Sequence, residues 1–165
     1  CRDLEDPVLF VEHILLYGTR GEVPDTSEKI PLGLADIKRS GSDISIISYS
    51  RMVQVSEAAA ELLSQDGIDA EVIDLRSLRP LDIPTLVESA KKTHNVLVVE
   101  EAPQLGGFAG EIVANVQQEA FDYLDAPVGR IAGEEVPIPY SHPLEQISIP
   151  DPERVARAAR NILER

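Results

Sequence analysis

The sequence predicts an α/β domain in which helices cover both faces of a sheet built mainly from parallel strands, giving three layers. Two observations support this fold class. Short apolar, β-branched segments alternate four times with segments whose apolar residues recur at helical spacing, and this alternation is typical of parallel strands joined by helices. The 165 residues are 43% hydrophobic and 27% charged, which is ordinary composition for one globular domain.

The first half of the domain contains three predicted strands. A weak strand, Leu34 to Lys38, precedes the apolar strand Ile44 to Tyr49, and a helix then runs to Gly67. The strand Ala70 to Leu75 follows, and Asp82 is placed to cap the next helix. The residues expected on the buried faces of these two helices are Val55, Ala58, Ala59, Leu62 and Leu63, then Ile83, Leu86, Val87 and Ala90.

The second half continues the alternation. Asn95 to Glu101 is the most apolar strand, and Pro127 to Ala132 is a short one. The last helix begins with Asp151 as its cap and Pro152 at its first helical position. The apolar residues at helical spacing are Ala109, Ile112, Val113, Val116 and Ala120 in one helix, and Val155, Ala158, Ala159 and Ile162 in the last.

Two connections are longer than compact domains usually need. Tyr17 to Ile30 is polar and rich in turn residues, so it is predicted to link the apolar strand at Val8 to Val11 with the rest of the chain. Gly133 to Pro150 is dense in proline, has no helical period, and is called the proline-rich loop below. Its apolar residues predict an ordered loop packed against a neighbour, either a partner or its own domain. These residues are Val136, Ile138, Tyr140, Leu144 and Ile147.

The charge of the chain restricts its partners. The formal net charge is −14, and no Lys or Arg lies between Lys92 and Arg130. Such a surface repels phosphate backbones and anionic lipids, so nucleic-acid and membrane binding are not expected. A basic protein partner fits this charge, although solubility alone also explains it. Cys1 is the only cysteine, which suits a reducing compartment.

Gly106 to Gly110, between a buried strand and a helix, is the segment most suggestive of ligand binding. Glycines at a helix start allow an anion to approach the free backbone N–H groups. The dinucleotide fingerprint, however, needs a glycine where Leu105 stands. Close packing of helix against sheet therefore explains these glycines better than phosphate binding does.

The remaining polar residues suggest no mechanism. His13, His94 and His142 are far apart and show no metal-ligand spacing. Glu100 and Glu101 are adjacent strand residues that point to opposite faces, so they do not form an acid/base pair. The residues alone therefore indicate no catalytic group.

Six segments in order carry a resemblance to a known family. They are PVLFVEHILLYG (7–18), SYSRM (48–52), EVIDLRSLRPLD (71–82), KKTHNVLVVEEAPQLGGFAGEI (91–112), FDYLDAP (121–127) and VPIPYSHPLE (136–145). Together they resemble the β subunit of the decarboxylating component of pyruvate and related 2-oxo acid dehydrogenase complexes. The likeness is greatest to pyruvate dehydrogenase subunits of bacterial or plastid type, which implies the bacterial cytoplasm or the plastid stroma.

The resemblance implies a fold and a division of labour. Residues 26–165 would form a transketolase C-terminal-type domain, whose five-stranded, mostly parallel sheet has its first strand antiparallel. Residues 1–25 would hold the last strand of a preceding pyrimidine-binding domain and a linker. Thiamine diphosphate and Mg²⁺ would be bound by the parent enzyme outside this chain, and the chain alone would be inactive. The cofactor would carry the chemistry.

The resemblance also implies partners and sites. The partners would be an α subunit, a second β subunit and the basic subunit-binding domain of the dihydrolipoyl acyltransferase. Glu145, Asp151 and Glu153 are the candidate residues for docking that domain. Cys1 and Asp6 lie where branched-chain relatives hold a monovalent cation, but Leu4 replaces the acidic ligand of that pattern.

Two other functions fit an α/β chain of this kind. One is a free-standing nucleotide- or flavin-binding electron-transfer domain, which needs a phosphate site at Gly106 to Gly110 and would show micromolar binding in a calorimetric titration. The other is the terminal domain of a transketolase or a deoxyxylulose-phosphate synthase. The proline-rich loop fits that second reading less well.

Overall fold

The computed structural model describes residues 7–21 and 29–164 and contains a five-stranded sheet with strand order β1-β3-β2-β4-β5. Its strands are β1 (Asp36–Arg39), β2 (Ile44–Ser48), β3 (Ala70–Asp74), β4 (Val96–Pro103) and β5 (Gly129–Gly133). The first strand runs antiparallel to β3, and the other neighbours are parallel. The predicted fold class is confirmed, including the direction of the first strand.

Helices cover both faces of this sheet. The helices of the described residues are α1 (Arg51–Gln65), α2 (Ile83–Thr93), α3 (Ala109–Ala120), α4 (His142–Ser148), which lies outside the core, and α5 (Pro152–Leu163), with 3₁₀ turns at Ile14–Gly18 and Phe121–Tyr123. One face packs against α1 and α5, and the other packs against α2 and α3. Alternation along β2 places Ile46 in the core on the first face and Ile47 in the core on the second, so this strand contributes to both halves of the core.

Two of the helix starts follow the predicted capping chemistry. Asp82 accepts hydrogen bonds from Thr85 N at 3.2 Å and from Ala35 N at 2.8 Å. Burial by itself would raise the pKa of Asp82, but these hydrogen bonds outweigh it and hold the pKa below its ordinary value. Asp151 caps α5 by accepting from Arg154 N at 2.8 Å. The bond from Ala35 N means that Asp82 also links the residue before β1 to the start of α2.

The buried sectors of two helices differ from the predicted ones. Helix α1 contacts both the sheet and α5, so Ala60 is fully buried while Val55 and Leu62 are only partly buried. In α5, Ala156 is fully buried and Ala158 is partly buried. A helix covered from two directions buries a wider sector than its apolar stripe alone indicates.

The strand predicted at Val8 to Val11 is not formed. Residues 7–13 have no regular structure, and the 3₁₀ turn Ile14–Gly18 follows them. A strand needs a neighbour that pairs with its backbone N–H and C=O groups. No strand among residues 7–21 and 29–164 pairs with this segment.

Candidate functional site

The proline-rich loop follows β5, an edge strand of the sheet, and is closed at its base. Glu134 N donates to Ser148 O at 2.9 Å, which joins the start of the loop to its end. Arg154 on α5 reinforces this closure, because its Nη2 lies 3.0 Å from Glu134 Oε1 and its Nη1 donates to Ile147 O at 3.4 Å. A loop with tied ends is a compact surface feature of a kind that often carries function.

The expectation that this loop has no helix is wrong. Helix α4 begins at His142, has Pro143 in its first turn and ends at Ser148, whose Oγ donates to Leu144 O at 2.8 Å. Of its seven residues only Ser148 is buried. A helix with so little of its surface in the core leaves no amphipathic period in the sequence, which is why the pattern missed it.

The five apolar residues predicted to pack against a neighbour are largely exposed, whereas Ile149 near the end of the loop is buried in the core. Their exposed fractions are 48% for Val136, 60% for Ile138, 106% for Tyr140, 53% for Leu144 and 68% for Ile147. The alternative that the loop folds back on its own domain is therefore wrong for these side chains. Clustered exposed apolar residues rimmed by charge are typical of interaction sites.

The three predicted docking acids lie beside this apolar surface in the chain but differ in their surroundings. Glu145, on α4, is 3.5 Å from His142 Nδ1. Glu153 is exposed in the first turn of α5. Asp151 is exposed as well, yet its carboxylate already caps α5. Only Asp151 thus has an evident structural duty, and a test of its charge must preserve the cap.

The glycine-rich turn at Gly106 to Gly110 is filled by the protein itself. The carboxylate of Glu100, fully buried, accepts from Ala109 N at 3.0 Å at the start of α3. A Cβ added at Gly107 would clash with that carboxylate and with the Pro103 carbonyl. The position where a phosphate would bind the helix start is thus occupied by a side chain, and the packing explanation of the glycines is supported.

Glu100 forms an ion pair with an arginine, Arg130, and this pair was not predicted from the sequence. Arg130 on β5 places Nη2 2.5 Å and Nε 3.1 Å from Glu100 Oε1. The parallel register pairs Val98 with Arg130, and Glu100 shares a face with Val98 because side chains alternate. The alternation of side chains along β4 and β5 could therefore have indicated that Glu100 and Arg130 lie on the same face of the sheet.

Tyr49, directly after β2, is partly buried and also contacts Glu100. Its hydroxyl donates to Glu100 Oε2 at 3.2 Å, and its ring meets Phe108 edge-to-face at 6.5 Å. Burial, followed by the charge and hydrogen bond of Glu100, raises the pKa of Tyr49 to about 12. The phenol therefore stays protonated at neutral pH and serves as a hydrogen-bond donor.

Substituting alanine for Gly107 is expected to destabilise the domain by about 1–3 kcal/mol, because the added methyl group overpacks the Glu100 site. Gly110 is the matched control. A Cβ there meets only Arg130 Nη1, at 3.6 Å, and alanine inside a helix should stabilise by about 0.5–1 kcal/mol. Chemical denaturation of both variants measures these changes. Equal effects would show that the turn is not held by packing.

The three histidines contact different parts of the domain. His13 lies 3.1 Å from Glu101. His94 ends α2 in the left-handed conformation, and its Nδ1 lies 2.7 Å from Tyr123 O. His142 starts α4, with Nε2 3.1 Å from the Gln146 amide.

Within residues 7–21 and 29–164, no three His, Cys, Asp or Glu side chains are grouped to hold a metal ion. Cys1 and Asp6, the predicted cation ligands, lie outside the described residues. No helix in the described ranges is both long and apolar enough to cross a bilayer.

Comparison with known proteins places most of the chain in one family. The model of the family described as "Transketolase, C-terminal domain" matches residues 33–155. That range contains all five strands and the proline-rich loop.

Relatives in curated collections share a common description. The pyruvate dehydrogenase E1 component subunit beta of Cyanidium caldarium is 44% identical over 158 residues, which are 96% of this chain and 48% of the relative. The mitochondrial subunit beta-2 of Oryza sativa is 46% identical over 94% of this chain and 42% of its own length. The subunit beta of Rickettsia felis is 42% identical, again over 96% of this chain and 48% of the relative. The chain thus spans about half the length of these relatives.

Solved structures share the fold. A split-gene transketolase, described as an inactive beta4 tetramer, superimposes with a TM-score of 0.70 at 26% identity, covering 87% of this chain and 46% of that one. The 2-oxoglutarate:ferredoxin oxidoreductase of Magnetococcus marinus superimposes with a TM-score of 0.51 over 79% of this chain and 19% of that one. At 12% identity, this second likeness shows the fold alone.

Proposed function

Because this chain belongs to the transketolase C-terminal domain family, we propose that it forms the C-terminal half of the β subunit of a thiamine-diphosphate-dependent 2-oxo acid dehydrogenase, with pyruvate as the substrate. Relatives with 42–46% identity across nearly the whole chain bear the name of that subunit. Residues 1–25 would then connect a preceding pyrimidine-binding domain to the present one. The compartment would be the bacterial cytoplasm or the plastid stroma, although the Oryza sativa relative is named as mitochondrial.

The proposed task of this domain is assembly. One observation carries the proposal: a loop closed at its base presents five exposed apolar side chains, and the acids Glu145, Asp151 and Glu153 lie beside them in the chain. We propose that this surface, Val136 to Glu153, docks the small basic subunit-binding domain of a dihydrolipoyl acyltransferase. Other surfaces of the domain would contact an α subunit and a second β subunit.

The proposed cofactor would be held elsewhere. The start of α3 does not suit a diphosphate, because the Glu100 carboxylate already accepts the Ala109 N–H and is paired with Arg130. We therefore assign no step of the chemistry to residues of this chain. Thiamine diphosphate and Mg²⁺ would be bound by the α subunit and the preceding domain.

The same observation weakens the rival proposal of a nucleotide- or flavin-binding electron-transfer domain. That function requires the backbone N–H groups after Gly107 to be free for a phosphate. A side chain would have to leave a fully buried position to release them.

Docking is tested by charge changes at the three acids. The variant Glu145→Lys, Asp151→Asn, Glu153→Lys keeps a capping side chain at position 151. It is expected to weaken binding of the basic subunit-binding domain about tenfold at low salt, since each exposed ion pair contributes up to about 1 kcal/mol. Calorimetry at low and high salt measures the loss, which should shrink as salt rises.

A second variant controls for net charge. Glu57→Lys, Glu61→Lys, Asp122→Asn makes the same charge change on α1 and the second 3₁₀ turn, outside the proline-rich loop. It should bind as the unmodified chain does. If both variants lose affinity equally, the attraction is general and the assigned surface is wrong.

A further inference from the structure

The apolar residues of the connecting segment, residues 7–21, are exposed except for Leu16, which is partly buried. Leu9 is 89% exposed, Phe10 73% and Val11 81%. The 3₁₀ turn that follows contains no buried residue. Polar side chains at two points also bond this segment to the rest of the domain.

The first contact uses both nitrogens of one imidazole. His13 Nε2 lies 3.1 Å from Glu101 Oε2, and His13 Nδ1 lies 3.2 Å from Leu15 N. A backbone N–H only donates, so Nδ1 must be the acceptor, and an ionised carboxylate only accepts, so Nε2 must carry the proton. The neutral Nε2–H tautomer satisfies both bonds together, whereas a doubly protonated ring would lose the bond from Leu15.

The second contact lies at the other end of the turn. Gln54 Nε2 on α1 donates to Thr19 Oγ1 at 3.1 Å. Between the two contacts, Leu16 N donates to His13 O at 2.9 Å and closes the turn. The side chains of His13 and Glu101 are 21% and 29% exposed, so their contact is better shielded from water than the rest of the segment.

We propose that Glu101 is a positioning residue that anchors the connecting segment at the C-terminal edge of the sheet by accepting a hydrogen bond from the neutral Nε2–H tautomer of His13. Nδ1 of the imidazole caps the 3₁₀ turn by accepting from Leu15 N, and Nε2–H donates to Glu101 on β4. In this proposal the contact holds the exposed residues Leu9, Phe10 and Val11 in a defined position relative to the sheet. The inference is independent of the proposed function.

Nitrogen-15 NMR of the ring nitrogens of His13 in this chain, at pH 7.5, tests the tautomer. The expected signature is a protonated Nε2 and an unprotonated Nδ1, assigned by loss of the signals in His13→Phe. A protonated Nδ1, or averaging of the two nitrogens, would overturn the proposal.

Amide exchange tests the anchor. In Glu101→Ala, exchange at Leu16 should accelerate about threefold, the size expected for losing one partly exposed polar pair, while amides in the sheet should keep their rates. Glu101→Gln should retain most of the protection, because its amide oxygen still accepts from Nε2–H. Glu111→Ala, an exposed acid on α3, is the control and should change nothing at Leu16. Equal acceleration in Glu101→Gln and Glu101→Ala, or none in Glu101→Ala, would refute the anchor.

Discussion

Replacing Arg130 with alanine is expected to lower the free energy of unfolding by about 3–5 kcal/mol. The change leaves the carboxylate of Glu100 fully buried without its cation. Tyr49 and Ala109 N still donate to that carboxylate, so the loss should lie toward the lower end of the range. Urea denaturation followed by circular dichroism measures it.

Two further variants separate the lost charge from lost packing. Arg157→Ala removes an exposed arginine of α5, and it should cost no more than about 0.5 kcal/mol. Adding Glu100→Gln to Arg130→Ala should recover part of the stability, because the buried charge is then gone while an acceptor for Ala109 N remains. If Arg130→Ala costs as little as Arg157→Ala, the buried pair does not form in solution.

Truncating Leu144 and Ile147 together to alanine should weaken binding of the acyltransferase subunit-binding domain by about tenfold to a hundredfold. Apolar anchors at the centre of an interface commonly contribute more than about 1 kcal/mol each. Both residues lie on α4 and are mostly exposed, so the stability of the unbound domain should hardly change. Calorimetric titration measures the affinity.

The matched control is Leu105→Ala. Leu105 is 83% exposed, but it lies in the turn between β4 and α3 rather than in the proline-rich loop. It should leave the affinity unchanged. An unaltered affinity in the Leu144 and Ile147 variant would remove the apolar part of the proposed surface, leaving only the acids.

The strands and most helices could be predicted because their signals are local. β-Branched runs such as Ile44 to Ser48 are buried on both faces of the sheet, and they read as continuous apolar segments. The caps Asp82 and Asp151 likewise act on a backbone N–H three residues away. The antiparallel direction of the first strand came from the family resemblance, whereas the order of the strands was not predicted.

The features that were missed depend on contacts distant in sequence. Glu100 and Arg130 meet only because β4 and β5 pair in a particular register. Glu71 on β3 is also fully buried, and it forms an ion pair with Lys92 on α2. Helix α4 left no pattern because its apolar side chains point to solvent. For a related reason, the strand expected at Val8 to Val11 is not formed. Its residues are all apolar, but no described strand pairs with it.

Assembly of a chimeric subunit tests the proposed identity of this domain most directly. The chain would replace the matching half of the Cyanidium caldarium subunit beta, to which it is 44% identical, and would be produced together with the α subunit of that organism. The expected result is a complex that co-purifies with the α subunit and consumes pyruvate when thiamine diphosphate and Mg²⁺ are supplied. A chimera that folds but stays separate from the α subunit, or assembles without consuming pyruvate, would contradict the proposal.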